Sequence, residues 1–292
     1  MSTHFQGTAT ISDTTGILTT IGPFKNGVGS VSVTIRQSGL VKQISVQKDS
    51  IREVSNPFGV LLPKDKKYYQ EKDDVRIEME AYSLPEDYIL EIDQFLPQDD
   101  FAIILANDKF NRDPTIQQID KSVHKFTSLN PKQELDLTKK AQTSITFSYN
   151  DTELGRIDET KLKIYCLDLG KREWIEIPSR IYPSVNKVTA VISQMGVYIL
   201  AGSVIADNFN DFVVFPNPFK INRDGPMIEF AGLPEDVTIR IYDISGNLIE
   251  YVKNQTANWP WNVKNKVDSG IYIYVITDKD GNKITGKVGV IK

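Results

Sequence analysis

Val237-Thr-Ile-Arg-Ile-Tyr-Asp243, followed by Ser245-Gly-Asn247 and Leu248-Ile-Glu-Tyr-Val252, decides the fold class. Val237, Ile239 and Ile241 alternate with Thr238, Arg240 and Tyr242, the period-two pattern of a strand with one buried face. A Gly-Asn turn then sends the chain into a second β-rich run. The same pattern continues through Gly270-Ile-Tyr-Ile-Tyr-Val-Ile276, the turn Asp278-Lys-Asp-Gly-Asn282, and Thr285-Gly-Lys-Val-Gly-Val-Ile-Lys292. Here Ile271, Ile273 and Val275 are expected to form a second core stripe. Upstream, Val213-Val-Phe-Pro-Asn-Pro-Phe219 carries two prolines, which fix φ and remove donors, so it reads as an edge and not as a central strand. With Pro226-Met-Ile-Glu-Phe230, about seven short strands fall between 208 and 292, the texture of an immunoglobulin-like sandwich.

Further upstream, amphipathic helical periodicity is nearly absent. Strands are expected at Val75-Arg-Ile-Glu-Met79, Ile89-Leu-Glu-Ile92, Phe101-Ala-Ile-Ile-Leu105, Ser144-Ile-Thr-Phe-Ser-Tyr149, Lys161 to Leu167, Trp174-Ile-Glu-Ile177, Lys187 to Ile192, and Val197 to Ala201. The charged stretch Lys64 to Asp74 reads as a solvated loop. Before it, Gly7 to Ser12, Ile17 to Ile21, Val28 to Ile35 and Val41 to Val46 read as four strands around turns at Asp13-Thr-Thr-Gly16, Asn26-Gly27 and Gly39. The whole reads as all-β, with tandem antiparallel, immunoglobulin-like β-sandwiches as three units in series: 1–60, 61–205 and 206–292, the last opened by the polar linker Ala206 to Asp211.

The 292 residues carry 34 Lys+Arg against 38 Asp+Glu, a net charge of −4. Basic and acidic residues are equal in number between 208 and 292, so neither nucleic acid nor an anionic membrane surface is an expected partner. No apolar run reaches the roughly 20 residues of a membrane span. Met1 to Thr8 has neither the basic start nor the apolar stretch of a signal peptide, so the chain reads as an N-terminally truncated fragment.

The single cysteine, Cys166, lies on one strand face with Leu162 and Ile164 and reads as a small buried hydrophobe. Of the two histidines, His4 sits in a frayed start and His124 in a polar stretch, and no Ser/His/Asp or Cys/His set assembles from them. Catalytic residues, cofactor and metal are therefore all expected to be absent. Asp278-Lys-Asp-Gly-Asn282 resembles the start of a calcium loop, but the twelfth position is Gly289 where a bidentate Glu is needed, so it reads as a hairpin. Asp207-Asn-Phe-Asn-Asp211 could lend carboxylates to a structural calcium, which calorimetry would detect. Trp259, Trp261, Tyr272 and Tyr274 read as packing aromatics in preference to a carbohydrate platform.

The motifs of the tail resemble the type A C-terminal sorting domain of type IX secretion (Por secretion tail). The residues that carry the resemblance are Phe215-Pro216-Asn217-Pro218, Ile239-Arg-Ile-Tyr242-Asp243-Ile-Ser-Gly246, Trp259, Ser269-Gly270-Ile-Tyr272-Ile-Tyr274, and Gly286-Lys287 to Lys292. Phe215 stands where the family usually has Tyr, and Pro260-Trp261 stands where Asp-Gly is commoner, which implies an altered loop. The same pattern is shared with the immunoglobulin-like domain of flagellar hook-cap proteins, whose N-terminal half is helical. The 61–205 region resembles the β-sandwich found in zonula occludens proteins, netrin receptors and ankyrins. Its motifs are Leu84-Pro-Glu-Asp87, Ile145 to Tyr149, Leu162 to Tyr165, Trp174 to Ile177, Val188 to Ile192 and Val197 to Ala201. In related autoproteolytic domains a His precedes a Ser or Thr nucleophile. This chain has Ser193-Gln-Met-Gly196 there, so no self-cleavage is expected. Within the first 60 residues, the turns Asp13-Thr-Thr-Gly16 and Asn26-Gly27-Val28 before a Val/Thr-rich strand resemble the C-terminal half of an invasin-type bacterial immunoglobulin-like repeat; the alternative is a small independent β-subdomain.

These resemblances imply the non-enzymatic C-terminal part of a secreted or cell-surface bacterial protein. Its partner would be the export machinery of the outer membrane, and a cell-surface polysaccharide anchor is a further partner the resemblance admits. The alternatives are a structural stalk or adhesin segment without a sorting role, and a hook-cap-like assembly protein.

Overall fold

The computed structural model describes residues 8–13, 16–24, 28–33, 39–94, 100–138, 142–263 and 267–292. It is nearly all β, with several antiparallel sheets.

The first six strands are β1 (Ala9–Asp13), β2 (Gly16–Ile21), β3 (Gly39–Lys42), β4 (Ser45–Lys48), β5 (Ile51–Val54) and β6 (Phe58–Val60). They form one sheet in the order β2-β1-β4-β5 and a β3-β6 pair. Ala9, Ile11 and Ser45 are buried while Ile17 and Ile51 are exposed, so this sheet is a thin layer among the described residues. Two expectations change here. The run 41–46 is broken between β3 and β4. Residues 28–33 form no strand beyond a single bridge at Val28, because Gly29 and the alternating serines give little apolar face to bury. Thr34 to Ser38, His4, Gly7, the interior of the 13–16 turn and the Asn26-Gly27 turn lie outside the described residues.

The middle of the chain runs β7 (Tyr68–Lys72), β8 (Val75–Met79), β9 (Ile89–Gln94), α1 (Phe101–Phe110), β10 (Ile116–Gln118), β11 (His124–Leu129), β12 (Thr143–Ser148) and α2 (Asp151–Leu154). It continues through β13 (Ile157–Asp168), β14 (Glu173–Ile177), β15 (Ser179–Tyr182), β16 (Lys187–Ile192) and β17 (Gly196–Val204). One sheet is ordered β14-β13-β17-β11-β9, with β10 on β17, and the facing sheet β15-β16-β12-β8-β7. Ile77, Met79, Ile145, Phe147, Leu162, Ile164 and Leu200 close the core between them. The Lys64–Asp74 stretch is not wholly a loop. Tyr68 packs against this core, so β7 becomes an edge strand whose outward Tyr69 and Glu71 disguise it.

Phe101–Leu105 is helical, not a strand. Asp100 Oδ1 accepts from the Ala102 and Ile103 amides at 2.7 and 3.4 Å, a side-chain N-cap. Ile103 and Ala106, three residues apart, are then buried on Tyr165, Leu167, Trp174 and Ile199. A five-residue apolar run has no period of its own, and the preceding Asp tips it to helix.

The last part holds β18 (Val213–Phe215), β19 (Phe219–Lys220), α3 (Ile221–Asp224), β20 (Met227–Tyr242), β21 (Leu248–Asn262), β22 (Gly270–Thr277) and β23 (Lys283–Ile291). The strand order is β18-β20-β22-β23-β19, with β21 on β20. Pro226–Phe230 and Val237–Asp243, expected as two strands, are mostly one. The β20–β21 hairpin bends where its register shifts and where Gly232, Asp236, Asn254 and Ala257 take positive φ. The bend folds the sheet into two facing layers. The N-terminal half of β20 pairs with β18 and the far half of β21, while its C-terminal half pairs with β22 and the near half of β21. At Gly232 (φ +71°), a Cβ would meet the Asp211 carbonyl at 2.5 Å, so only glycine fits the bend. Trp259-Pro-Trp261 lies within β21 and is no loop. Among the described residues β21 pairs only with β20, so Pro260 takes an edge position where its missing N–H costs no ladder bond.

Val237, Ile239 and Ile241 are fully buried, as the alternation predicts. The parity of β22 is the reverse of the expectation. Tyr272 and Ile276 are buried and Tyr274 packs on the core, while Ile271 is 54% exposed and Ile273 and Val275 face outward with it.

Candidate functional site

Of the residues expected to form the motif, Phe215 to Pro218 run beside the terminal strand β23, which carries Gly286 and Lys287. Asn217, between two prolines, lies beside β23: its Nδ2 donates to the Lys287 carbonyl at 2.9 Å and its Oδ1 accepts from the Gly289 amide at 3.1 Å. One side chain thus satisfies the outward donor and acceptor of β23 as a neighbouring strand would. Two residues on, β19 takes over that pairing, with Phe219 opposite Val290 in parallel register and fully buried. Pro218 packs beside Gly289, and Phe215 is 43% exposed on the outer side. Asn217→Ala is expected to destabilise the tail by about 1–3 kcal/mol, two hydrogen bonds at about 0.5–1.5 kcal/mol each. A thermal midpoint equal to that of the wild-type chain would count against the bridge.

Asp243 closes the β20–β21 turn. Its Oδ1 accepts from the Ser245 and Asn247 amides at 2.8 and 2.9 Å and its Oδ2 from Asn247 Nδ2 at 2.8 Å, with Gly246 at φ +85°. The Asn247 side chain, then backbone amides, hold this carboxyl below its ordinary range. Asp278-Lys-Asp-Gly-Asn282 repeats the geometry. Asp278 accepts from the Asp280 and Asn282 amides and from Asn282 Nδ2, with Gly281 at φ +87°. Both carboxylates are turned onto their own backbone, so Asp-x-x-Gly-Asn works here as a hairpin device.

Tyr272 and Tyr274 pack inward. Tyr272 lies edge-on to Trp261 at 5.6 Å and donates to the Asp268 carbonyl at 2.9 Å. Tyr274 meets Phe212 at 5.7 Å and Phe230 at 5.5 Å, and its ring crosses Gly286, its partner on β23. A Cβ at 286 would fall on that ring, which explains the glycine before Lys287. Gly270 begins β22 with no close neighbour that demands glycine; Tyr242 and Lys287 share the outer face. Phe209, inside the expected linker, and Phe212, just after it, pack partly buried against the tail core. Their spacing of three was the signal available, hidden among Asn and Asp.

The middle sandwich has a cleft of about 750 Å³ at one end, where Ser193–Gly196 meets Cys166, Ile175 and Tyr198. Cys166 is buried beside Gln194, whose Nε2 is 3.3 Å from Sγ, and burial pushes its thiol up. A raised thiol stays protonated, which disfavours the thiolate form.

His124 is a core residue of β11, not part of a polar surface: it is 1% exposed and edge-on to Phe147 at 5.8 Å. Nδ1 lies 3.2 Å from the Ser122 carbonyl, and Nε2 has no partner among the described residues. Burial pushes the imidazole below its ordinary value; the Ser122 carbonyl, Asp73 and Asp74 oppose this, and Lys72 adds to it. The folded chain therefore holds the ring neutral, and the unfolded chain binds the extra proton. Stability is expected to fall as pH drops below about 6.5, by at most about 1.4 kcal/mol per pH unit until the lower folded value is passed. His124→Leu should flatten that slope; equal slopes for both chains in urea titrations from pH 7 to 5 would refute it.

Residues 213–292 match the family described as secretion system C-terminal sorting domain. No curated protein matches the chain. Among solved structures, it is similar to PorZ, an essential bacterial surface component of the type IX secretion system of Porphyromonas gingivalis, at 10% identity and a TM-score of 0.29. That match covers 94% of this chain and 50% of PorZ. It is also similar to latent PorU of Porphyromonas gingivalis, at 11% identity and a TM-score of 0.20 over 98% of this chain and 29% of that one. The β-glucuronidase of Ruminococcus gnavus follows at 9% identity and a TM-score of 0.19, over 76% of this chain and 46% of the enzyme. The chain thus spans half the length of PorZ and less of the other two. The sorting tail itself implies a secreted or cell-surface protein that engages secretion machinery. No helix among the described residues is long and apolar enough to cross a membrane.

Proposed function

We propose that this chain is the non-enzymatic C-terminal part of a bacterial cell-surface protein, with residues 206–292 as the address read by the type IX export machinery at the outer membrane. Residues 1–60 and 61–205 then form a partial immunoglobulin-like unit and a sandwich spacer between cargo and address. The observation that supports this best is the Asn217 bridge. Asn217 bonds to the Lys287 carbonyl, 70 residues on, and to the Gly289 amide, which supports a reading of Phe215-Pro216-Asn217-Pro218 and Gly286-Lys287 as one recognition surface. Tyr242, Asp243, Gly246, Gly270, Tyr272 and Tyr274 serve that surface by fixing the turns and layers behind it. Recognition by folded shape needs no reactive group, in keeping with the buried Cys166 and His124.

The test is export. The full chain, placed behind a signal peptide and a periplasmic reporter in a type IX-competent host, is expected to carry the reporter to the cell surface or medium. The same fusion ending at residue 205 should stay in the periplasm. Retention of the full-length fusion would favour the stalk reading.

A further inference from the structure

The two outer faces of the tail sandwich differ. The outer face of the layer built from β18 and the halves of β20 and β21 beside it is turned toward the preceding sandwich: β20 and β21 touch β13 and β17, Ala231 is buried, and the Glu229 carboxyl is desolvated near Lys161, Lys163 and Glu176. The outer face of the other layer is open. Register places Tyr251–Arg240–Val275–Thr285 in one row across it and Leu248–Tyr242–Ile273–Lys287 in the next, with Ile271 beside Gly289 beyond. Leu248 and Ile271 are each 54% exposed.

β22 is therefore apolar on both faces, the composition of a strand covered on both sides, yet one side here lacks a cover. Cations (Arg240, Lys253, Lys283, Lys287) outnumber acids (Asp243, Glu250) around this stripe. Lys283 and Lys287 are exposed with no carboxylate partner among the described residues, and the Arg240 guanidinium lies over the Tyr251 ring at 5.1 Å with Lys253 on the same ring. The nearby acids are otherwise engaged: Asp243 is tied into its turn, and Glu250 sits opposite the buried Ile241.

We propose that this face, with Ile271, Ile273, Val275, Tyr242 and Leu248 at its centre and Arg240, Lys283 and Lys287 around it, is the docking surface for an apolar, acid-rimmed protein surface of the export apparatus. The proposal rests on the sorting reading above and adds which face is read and by what chemistry. Apolar burial supplies the affinity, and the cations supply orientation and encounter rate. A flat sheet face with this mixture fits a protein patch, whose carboxylates can be placed opposite each cation.

The test uses the full chain behind the same reporter, as wild type, as Arg240→Glu/Lys287→Glu, as Ile271→Ser/Ile273→Ser, and as a control with Val191→Ser, an exposed apolar residue of the middle sandwich. Both double variants are expected to lower the exported fraction at least tenfold, with purified proteins that melt as the wild type does and a control exported normally. Normal export of the charge-reversal variant overturns the docking proposal and leaves the sorting reading standing. Retention of the wild type sinks the sorting reading itself. Co-sedimentation of the purified wild-type chain with phosphatidylglycerol vesicles, lost on charge reversal, would make a membrane the occupant and overturn the protein partner.

Discussion

Trp261→Ala is expected to lower the unfolding midpoint of the tail by at least about 12 °C while leaving the middle sandwich folded. The indole is fully buried between the two tail layers, against Tyr272 and among Ile228, Phe230 and Val263. Truncating a buried Trp to Ala typically costs about 3–5 kcal/mol, because the transfer term and the residual cavity add. For a unit of under about 100 residues, each kcal/mol moves the midpoint by about 4–8 °C. The tail and middle cores are separate clusters, so amides of β20 and β22 should lose hydrogen-exchange protection while those of β12 and β17 keep theirs. Trp261→Phe sharpens the test. The indole Nε1 is buried without a partner among the described residues, so phenylalanine removes an unsatisfied donor along with some volume. It should cost less than about 1.5 kcal/mol. A midpoint shift of under about 4 °C for Trp261→Ala would mean that the layers close without the indole.

What the sequence discloses follows from how strongly each segment's pattern excludes its alternatives. β20 is legible because Thr238 and Arg240 cannot share the core, so Val237, Ile239 and Ile241 must. β22 is not, because in Gly270-Ile-Tyr-Ile-Tyr-Val-Ile276 both alternating sets, Tyr272/Tyr274/Ile276 and Ile271/Ile273/Val275, could face a core. Its parity is set from outside the strand, by Trp261 facing Tyr272 and by the space over Gly286 that admits the Tyr274 ring. Asn217 stands out as a motif residue, but its bridging role depends on a strand 72 residues away and on no local signal. Phe101–Leu105 shows the same limit in reverse: the Asp100 cap, one residue outside the apolar run, decides between strand and helix.

Chain boundaries obey the same physics, which leads to the second large effect. A fragment that begins at Val213, where the family match starts, is expected to be unfolded, whereas one that begins at Ala206 should fold. The seven residues between them look like a linker but carry structure. The Ala206 amide donates to the Leu233 carbonyl at 3.1 Å. Phe209 and Phe212 pack edge-on at 6.3 Å, and Phe212 continues the aromatic cluster to Phe230 at 6.3 Å and Tyr274 at 5.7 Å. The Asp211 carbonyl fills the space over Gly232 that shapes the β20 bend. Loss of two half-buried phenylalanines and one backbone bond costs on the order of 5 kcal/mol, comparable to the whole stability of a small domain. In the full chain, Phe212→Ala isolates the main part of this effect. It should cost about 2–4 kcal/mol and reduce export in proportion to the unfolded fraction, whereas Asp207→Ala should act only on the Arg156 side of the junction, where the two residues pair at 2.8 Å. Dispersed amide resonances from the Val213 fragment, with the same midpoint as the longer one, would show that the phenylalanines decorate the sandwich and that the address begins where the family match does.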